Sequence, residues 1–275
     1  MTGQKHDKLV EIWRAIKLNG PPFVFDNLMV KTTTGVDFGN QYDLTKLDTS
    51  AKLPAELRAD DVFIVHLGGP RFRDPARRVP TRHRFVSPIS VGYHRLEPIQ
   101  KVEDPWKYRR TILDNLDEGE SGTISVVFNQ GIIHDFLFED RTIPGLRIHI
   151  PGRTRKKDEN TFTYRVGSTE VSVEQLQIEM DFIVEKNGTV AIAEAKRGDL
   201  PEDFAVSQIY LPYRKLLKMK GRLGGSFEIR CLFLFQYTRP DRREGIRVYE
   251  YAFNDPEDMG SIALLKSCEY VLAPS

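Results

Sequence analysis

The sequence predicts a mixed α/β protein, in which helices flank a mixed central β-sheet. Three segments carry this prediction. Residues 124–139 place apolar side chains at helical spacing, residues 177–200 alternate as a β-hairpin, and residues 227–237 form the most apolar strand of the chain. A second helix is expected between the hairpin and that strand. This order of helices and strands is typical of a sheet covered by helices.

Upstream of residue 124, the chain predicts an N-terminal α+β extension. A first helix is expected over residues 4–18, and the run Asn19 to Pro22 ends it. The other elements expected here are loose strands over 23–38, a buried strand over 60–67, strand material over 85–99 and a helix that begins at Pro105. The composition changes between Asp114 and Gly122, which divides the chain into regions 1–123 and 124–275.

Region 124–275 supplies the predicted core. Within the hairpin, Asn187-Gly188 tolerates the positive φ of a tight turn. Asp199, Pro201 and Glu202 predict the start of a helix that runs through Lys220. The strands expected here span residues 145–150, 161–166, 178–185, 189–196, 227–237 and 246–253.

The hairpin concentrates the charged groups that carry chemistry. Side chains alternate along its second strand, so Glu194 and Lys196 share a face with Ile192, while Asp181 lies on the partner strand. Carboxylates beside an apolar face lose hydration, and two that converge repel each other unless a cation lies between them. Oxygen ligands of this kind suit Mg²⁺. The alternative is an edge hairpin whose charges are solvated or form a weak surface ion pair.

At these residues the sequence resembles the PD-(D/E)XK nuclease superfamily, the fold of many type II restriction endonucleases. The matching residues are Asp181 and, thirteen positions on, Glu194-Ala195-Lys196. Met180 stands where the motif has its proline, a residue that the superfamily commonly lacks. The resemblance implies an αβββαβ core over residues 124–253. It also implies Mg²⁺, with Mn²⁺ able to substitute, bound by Asp181, Glu194 and the carbonyl of Ala195, and a Lys196 that orients the attacking water.

Three weaker candidates accompany this motif. Gln208 lies on the helix after the hairpin, where several lineages of the superfamily carry a Gln followed four residues later by Tyr. Here Tyr213 stands at the fifth position, so only Gln208 is retained. Asp135 and Glu139, one helical turn apart before the hairpin, could reach a metal as an acid does in some members. The alternative for both is an exposed acid near a helix end.

Two basic segments could contact a nucleic acid. The first is a loop interrupted by Pro75 and Pro80, and the second lies just upstream of the hairpin. Arginine forks match phosphate oxygens and can grip guanine, so both segments are expected to bind DNA. The alternatives are solvated loops, or pairing of the first segment with the acidic run 114–120. The basic residues are Arg71, Arg73, Arg77, Arg78, Arg82 and Arg84 in the first segment, and Arg153, Arg155, Lys156 and Lys157 in the second.

Composition excludes several classes of protein. Apolar residues make up 40% of the 275 and charged residues 29%, which is typical of a globular protein, and no apolar run reaches the length of a membrane span. A net charge of +1 leaves room for a segregated basic groove. Cys231 and Cys268 are interpreted as reduced thiols in a cytoplasmic protein. Gly68-Gly69 lacks the residues of a phosphate loop, so no nucleotide cofactor is expected.

Together these observations favour a Mg²⁺-dependent endonuclease of double-stranded DNA. A type II restriction enzyme is the first expectation, and a homodimer would suit a palindromic site. Region 1–123 is then expected to supply DNA recognition and dimer contacts, and region 124–275 to be the catalytic domain. The alternatives are a structure-specific or repair nuclease, a catalytically silent DNA-binding module of the same fold, and a metal-dependent hydrolase of another phosphoester.

Overall fold

The structure, a computed structural model, describes residues 2–35, 44–69, 81–108, 119–139, 147–149 and 160–274. Its architecture is mixed α/β, with a mixed central sheet and flanking helices, and this confirms the predicted class. In the described ranges, no helix is both long enough and apolar enough to cross a membrane.

The helices and strands are numbered along the chain. The helices are α1 (Thr2–Lys17), α2 (Asn27–Thr34), α3 (Ala55–Ala59), α4 (Ile89–Gly92), α5 (Glu120–Asn129), α6 (Ile132–Phe138) and α7 (Ser207–Leu223). The first seven strands are β1 (Val24–Phe25), β2 (Phe63–Gly68), β3 (Arg82–Val86), β4 (Tyr93–Arg95), β5 (Lys101–Tyr108), β6 (Arg147–His149) and β7 (Phe162–Val166). The others are β8 (Thr169–Val173), β9 (Phe182–Lys186), β10 (Thr189–Arg197), β11 (Asp203–Ala205), β12 (Glu228–Thr238), β13 (Glu244–Phe253) and β14 (Ile262–Pro274).

The central sheet contains seven of the described strands, in the order β5-β14-β13-β12-β10-β9-β6. The predicted hairpin is present, since β9 and β10 pair antiparallel with Thr189 opposite Lys186. Beside it, β10 and β12 run parallel, because α7 carries the chain back across the sheet between them. The most apolar strand of the sequence, β12, lies inside the sheet as predicted.

The two faces of the sheet are covered by different elements. Ala191, Ala193 and Ala195 of β10 pack in one cluster with α5 and α6, and Ile192 belongs to a second cluster that includes α7 and the N-terminal helix α1. This separation confirms the alternation predicted for β10. Both faces of the strand are apolar, so charged groups at its end lie against hydrophobic surface.

The structure confirms several other predicted elements: the first helix, the strand at β2, the short strand β6 and the strand at β13. The helix expected over residues 124–139 is two helices, α5 and α6. They are separated at Gly131, whose φ of +69° lies in the left-handed region that glycine adopts without steric cost. The strand expected at 161–166 is also present. It pairs with β8 in a separate two-stranded sheet rather than in the central one.

The helix expected to begin at Pro105 is wrong. Residues 101–108 form β5, an edge strand that pairs parallel to β14. Trp106 meets the Tyr270 ring edge-on at a centroid distance of 4.9 Å, and its Nε1 donates to the carbonyl of Gln130. This long-range packing outweighs the local signal, and an edge strand tolerates a proline.

Of the strands expected over 23–38, residues 36–38 lie outside the described residues, and over 23–35 the expectation is wrong except for the two residues of β1. Asp26 caps α2 there, because its carboxylate accepts hydrogen bonds from the N–H groups of Leu28 and Met29. Over 85–99, the one-turn helix α4 separates β3 from β4. The long strand β14, which completes the sheet beside β13, was not predicted.

The helix expected from Asp199 begins later, at Ser207. Residues 203–205 first pair as β11 with β4, and the side chain of Asp203 accepts a hydrogen bond from the N–H of Ser50. These partners lie far away in the sequence, so the capping pattern at Asp199 gave the wrong start.

Truncation of Phe233 should destabilise the fold. This side chain is 1% exposed and stacks on Phe204 at a centroid distance of 4.3 Å. We expect Phe233→Ala to lower the free energy of unfolding by about 3–5 kcal/mol in urea titrations. The control, Leu265→Ala, removes a side chain that is 57% exposed and should change it by less than about 0.5 kcal/mol. Equal effects of the two variants would contradict this packing.

Candidate active site

Four elements bring polar side chains together at one end of β10. Glu194 and Lys196 lie on the last residues of that strand, and Asp181 directly precedes β9. Gln208 lies in the first turn of α7, and Glu120 is the first residue of α5. We refer to these five residues as the Glu194 cluster.

The carboxylate of Glu194 is the centre of the cluster. Its Oε1 accepts hydrogen bonds from Lys196 Nζ at 2.7 Å and from Gln208 Nε2 at 2.8 Å. Glu194 is only 8% exposed, so these two donors replace the water that the carboxylate loses. The predicted Glu194 and Lys196 are therefore in contact, and the weaker candidate Gln208 joins them.

Asp181 extends the hairpin ladder with its side chain. The last paired residues of β9 and β10 are Phe182 and Ala193, and one position further the Oδ2 of Asp181 accepts a hydrogen bond from the N–H of Ala195 at 2.7 Å. Asp181 is thus held against the same strand that carries Glu194.

Glu120 was not predicted as a member of the site. Its Oε1 accepts a hydrogen bond from Lys196 Nζ at 2.6 Å, and the side chain is 48% exposed. Thr123, one turn further along α5, donates to the buried amide oxygen of Gln236 on β12 at 2.9 Å, which fixes the helix on the sheet. The sequence signal was the acidic run 114–120, which was interpreted as a boundary rather than as a helix start.

Burial determines the electrostatics of the cluster. It raises the pKa of Glu194 to about 7, and the ammonium of Lys196 only partly offsets this effect, while the charge of Asp181 adds to it. Burial also raises the pKa of Asp181, against the N–H of Ala195 and the charge of Lys196. For Lys196, burial lowers the pKa, but Glu194 and Glu120 outweigh burial and hold it above its usual value.

Gln208 leaves one polar atom without a partner. Its Nε2 donates to Glu194, and its Oε1 is buried with no hydrogen-bond partner among the described residues. Reversing the amide would place Oε1 against the carboxylate, so the contact with Glu194 fixes this orientation. The site therefore contains an unused acceptor, which a water or a ligand could satisfy.

The donors of the cluster fit a hard divalent cation. The cluster contains three carboxylates and one ammonium, which leaves two net negative charges when all are ionised, and two of the carboxylates contact the ammonium directly. Among the described residues, Oδ1 of Asp181 and Oε2 of Glu194 accept no hydrogen bond, so both remain available as oxygen ligands. No three His, Cys, Asp or Glu side chains of the described ranges are already grouped as metal ligands. The metal would therefore have to bind these two oxygens together with a backbone carbonyl or water.

Two of the predicted acids lie outside the cluster. Asp135 is buried in α6, where it accepts a hydrogen bond from the hydroxyl of Tyr270 at 2.8 Å. Glu139 follows the last residue of that helix and has a left-handed φ of +53°. The helices before the hairpin, α5 and α6, do contribute an acid to the cluster, but it is Glu120 of α5.

The structure describes two of the ten basic residues expected to bind DNA. Arg82 and Arg84 lie on β3, so the first basic segment is partly a regular strand and not wholly a loop. Arg84 donates to the carbonyl of Glu170 at 2.8 Å, and Arg82 is 3.7 Å from the carboxylate of Glu174. The other eight lie outside the described residues: Arg71, Arg73, Arg77, Arg78, Arg153, Arg155, Lys156 and Lys157.

Comparison with known proteins places the cluster inside a family region. A family model described as a domain of unknown function, DUF6997, matches residues 90–271. The match covers more than half of the chain and includes all five residues of the Glu194 cluster. No curated protein and no solved structure matches the chain significantly.

The buried Glu194 predicts a definite dependence of stability on pH. Because its pKa is raised from 4.5 to about 7, the folded protein keeps a proton that the unfolded chain releases between these values. The stabilisation that this bound proton gives the folded state is fully present below the unfolded pKa of 4.5, and it is lost as the pH rises through about 7. In EDTA, we expect the unfolding free energy of the wild type to fall relative to Glu194→Gln across this window, by at most about 1.4 kcal/mol per pH unit.

Glu185→Gln, which removes an exposed carboxylate from β9, controls for the loss of one charge. If the unfolding free energy of the wild type minus that of Glu194→Gln stays constant, or rises with pH, burial does not raise this pKa.

Proposed function

The chain belongs to the DUF6997 family, and from the Glu194 cluster we propose that it is a divalent-metal-dependent endonuclease of double-stranded DNA. One observation carries the proposal: a buried glutamate at the end of an apolar strand contacts the lysine two residues on, and an aspartate from the partner strand is hydrogen-bonded to the residue between them. This arrangement resembles the acidic site of the PD-(D/E)XK nucleases.

The order of the elements supports the same resemblance. Helices α5 and α6 are followed by β6, β9 and β10, then by α7 and β12. In the sheet, β6, β9, β10 and β12 are neighbours in chain order, and β10 is parallel to β12. An αβββαβ core would have this sequence of elements. The hairpin β7–β8 is then an insertion between the first two core strands, and the short strand β11 is an insertion between β10 and α7.

The oxygens available for a metal lie on Asp181 and Glu194, and the carbonyl of Ala195 is the third proposed ligand. When bound there, Mg²⁺ or Mn²⁺ supplies Lewis-acid polarisation of a phosphoryl oxygen and favours ionisation of a nearby water. Gln208 orients the Glu194 carboxylate for this binding, because its amide holds Oε1 at 2.8 Å. Its unpartnered Oε1 can accept a hydrogen bond from a water of the site.

Lys196 is proposed to act on the attacking water and on the charge that develops at the phosphate. Its raised pKa keeps it an ammonium ion, which serves as a donor and as a counter-charge rather than as a base. Glu194 and Glu120 hold the ammonium from two sides at 2.7 and 2.6 Å. Glu120 is therefore a positioning residue for Lys196.

A type II restriction enzyme is the form of this activity that we propose first. The basic segments around residues 71–84 and 153–157 would supply DNA contacts, and a homodimer would match a palindromic site. A repair or structure-specific nuclease would use the same cluster on branched DNA, so the substrate separates these two forms.

Plasmid DNA tests the proposal directly. With Mg²⁺, the wild type should give discrete fragments. Asp181→Ala should lower the cleavage rate by about a hundredfold or more, because a carboxylate required for metal binding is lost. Glu185→Gln should cleave as the wild type does. Cutting of branched DNA alone would replace the restriction enzyme with a structure-specific nuclease, and no metal-dependent cutting of any DNA would reject the endonuclease.

Gln208 offers a second test, through metal dependence. Because its amide orients a proposed metal ligand, we expect Gln208→Ala to raise the Mg²⁺ concentration needed for half-maximal cleavage by about 10- to 100-fold. Excess Mg²⁺ should restore much of the rate. The neighbouring Ser207→Ala serves as the control. A rate that falls without any change in metal dependence would contradict this role for Gln208.

A further inference from the structure

A cleft of about 580 Å³ lies beyond the end of β10 and is not part of the Glu194 cluster. Gly198, Asp199 and Leu200, which directly follow β10, form one of its walls, side chains of β12, β13 and β14 form its floor, and Val102 of β5 lies at its rim. Its size falls within the range of ligand-binding pockets. The chain thus passes from Lys196 into the wall of the cleft within two residues.

Strand register places the cleft on the same face of the sheet as the cluster. One line of paired residues crosses the sheet from the cluster to the cleft. From β10 to β5 its members are Lys196, Phe235, Arg247, Glu269 and Val102, each opposite the next on the neighbouring strand. Side chains opposite each other on paired strands share a face. Arg247 is two strands from Lys196, which is about 10 Å at the usual strand spacing.

Two arginines are fixed at the floor of the cleft. Arg247 Nε donates to Glu269 Oε2 at 2.9 Å, and Arg239 Nη1 forms an ion pair with Oε1 of the same carboxylate. The guanidinium of Arg247 also lies over the Tyr237 ring, 5.1 Å from its centroid. Each arginine is therefore oriented before any ligand binds, which lowers the entropic cost of binding.

Gly245 makes this arrangement possible. A Cβ at this position would come within 2.9 Å of Tyr237 Cε1 and 3.1 Å of Arg239 Cγ. The absence of a side chain lets Tyr237 and Arg239 lie close against β13.

The floor of the cleft presents two guanidinium groups to solvent, and that of Arg239 also lies 3.5 Å from the carboxylate of Asp241. Arg239 and Arg247 remain 23% and 28% exposed, whereas the Glu269 side chain that pairs them is 5% exposed. Asp199 is an exposed acid at the rim, and Leu200 and Val102 add apolar surface. Guanidinium groups beside apolar surface suit a phosphate attached to a sugar or base.

We propose that this cleft binds a nucleotide of the DNA strand near the scissile phosphate, with Arg239 and Arg247 contacting a backbone phosphate. This inference rests on the proposed function, because it takes the Glu194 cluster as the site of cleavage. Successive charges of one DNA strand are about 3.4 Å apart along the helix axis, so a separation of about 10 Å in space places the contacted phosphate within about three nucleotides of the scissile one.

The test measures binding separately from cleavage. A fluorescein-labelled DNA duplex is titrated in EDTA over a series of salt concentrations, and plasmid cleavage is measured in parallel with Mg²⁺. Loss of one phosphate contact should reduce the slope of log K against log salt by about one. We expect this reduction for Arg239→Gln and Arg247→Gln. Arg165→Gln is the matched control, because the exposed Arg165 pairs with Asp255 and does not line the cleft.

A second pair of variants covers the case in which loss of an arginine unfolds the protein. Val102 is 54% exposed at the rim of the cleft. In Val102→Glu, a new carboxylate would compete with phosphate for the two guanidinium groups, so DNA affinity should fall severalfold relative to the similarly sized Val102→Gln. Thermal unfolding of every variant verifies that it is folded.

The outcomes distinguish this inference from the proposed function. If the wild type binds DNA without cutting it and the arginine variants reduce the salt slope, the binding site stands and the endonuclease is rejected. If the wild type cuts DNA, the folded arginine variants keep the wild-type slope and Val102→Glu matches Val102→Gln, the cleft is overturned while the endonuclease stands. A wild type that neither binds DNA in EDTA nor cuts it with Mg²⁺ overturns both.

Discussion

Burial of the Glu194 carboxylate is the constraint on which the arrangement of the site depends. The side chain lies at the end of a strand that is apolar on both faces, so it must find hydrogen-bond donors within the protein. Those donors come from Lys196 on the same strand and Gln208 on α7. A shift of α7 along the sheet would leave the carboxylate with one donor fewer. The position of this helix and the chemistry of the site are therefore coupled.

The opposite face of β10 explains how a second helix reaches the same point. Ala191, Ala193 and Ala195 give α5 a shallow surface to pack on, and Thr123 bonds it to Gln236 of the adjacent strand. With larger side chains at the alanines, the helix would stand further from the sheet, and Glu120 would not approach Lys196. Small residues on one face thus determine which groups surround the lysine on the other.

The sequence was most informative where the determinants are local. Alternation along β10 and the Asn187-Gly188 turn gave the hairpin and the side-by-side Glu194 and Lys196, because strand periodicity and turn chemistry act over a few residues. Glu120 could not be found this way. It lies more than seventy positions before Lys196 in the sequence, and only the packing of α5 brings the two side chains into contact. The errors at Pro105 and Asp199 have the same origin. There, pairing of β5 with β14 and of β11 with β4 outweighed local helix signals.

Two buried glutamates on one sheet face carry opposite balances of charge. Around Glu194, three carboxylates share one ammonium, so the cluster favours an added cation. Around Glu269, one buried carboxylate pairs with two partly exposed guanidinium groups, of which Arg239 also contacts Asp241, so the groups that this floor presents to a ligand are cationic donors. A metal ion and a phosphodiester strand would satisfy both requirements at once, with Lys196 and Arg247 two strands apart, or about 10 Å by strand spacing. Because the two clusters lie along one line of register, a cation at the first and a polyanion at the second would be held side by side on the same face of the sheet.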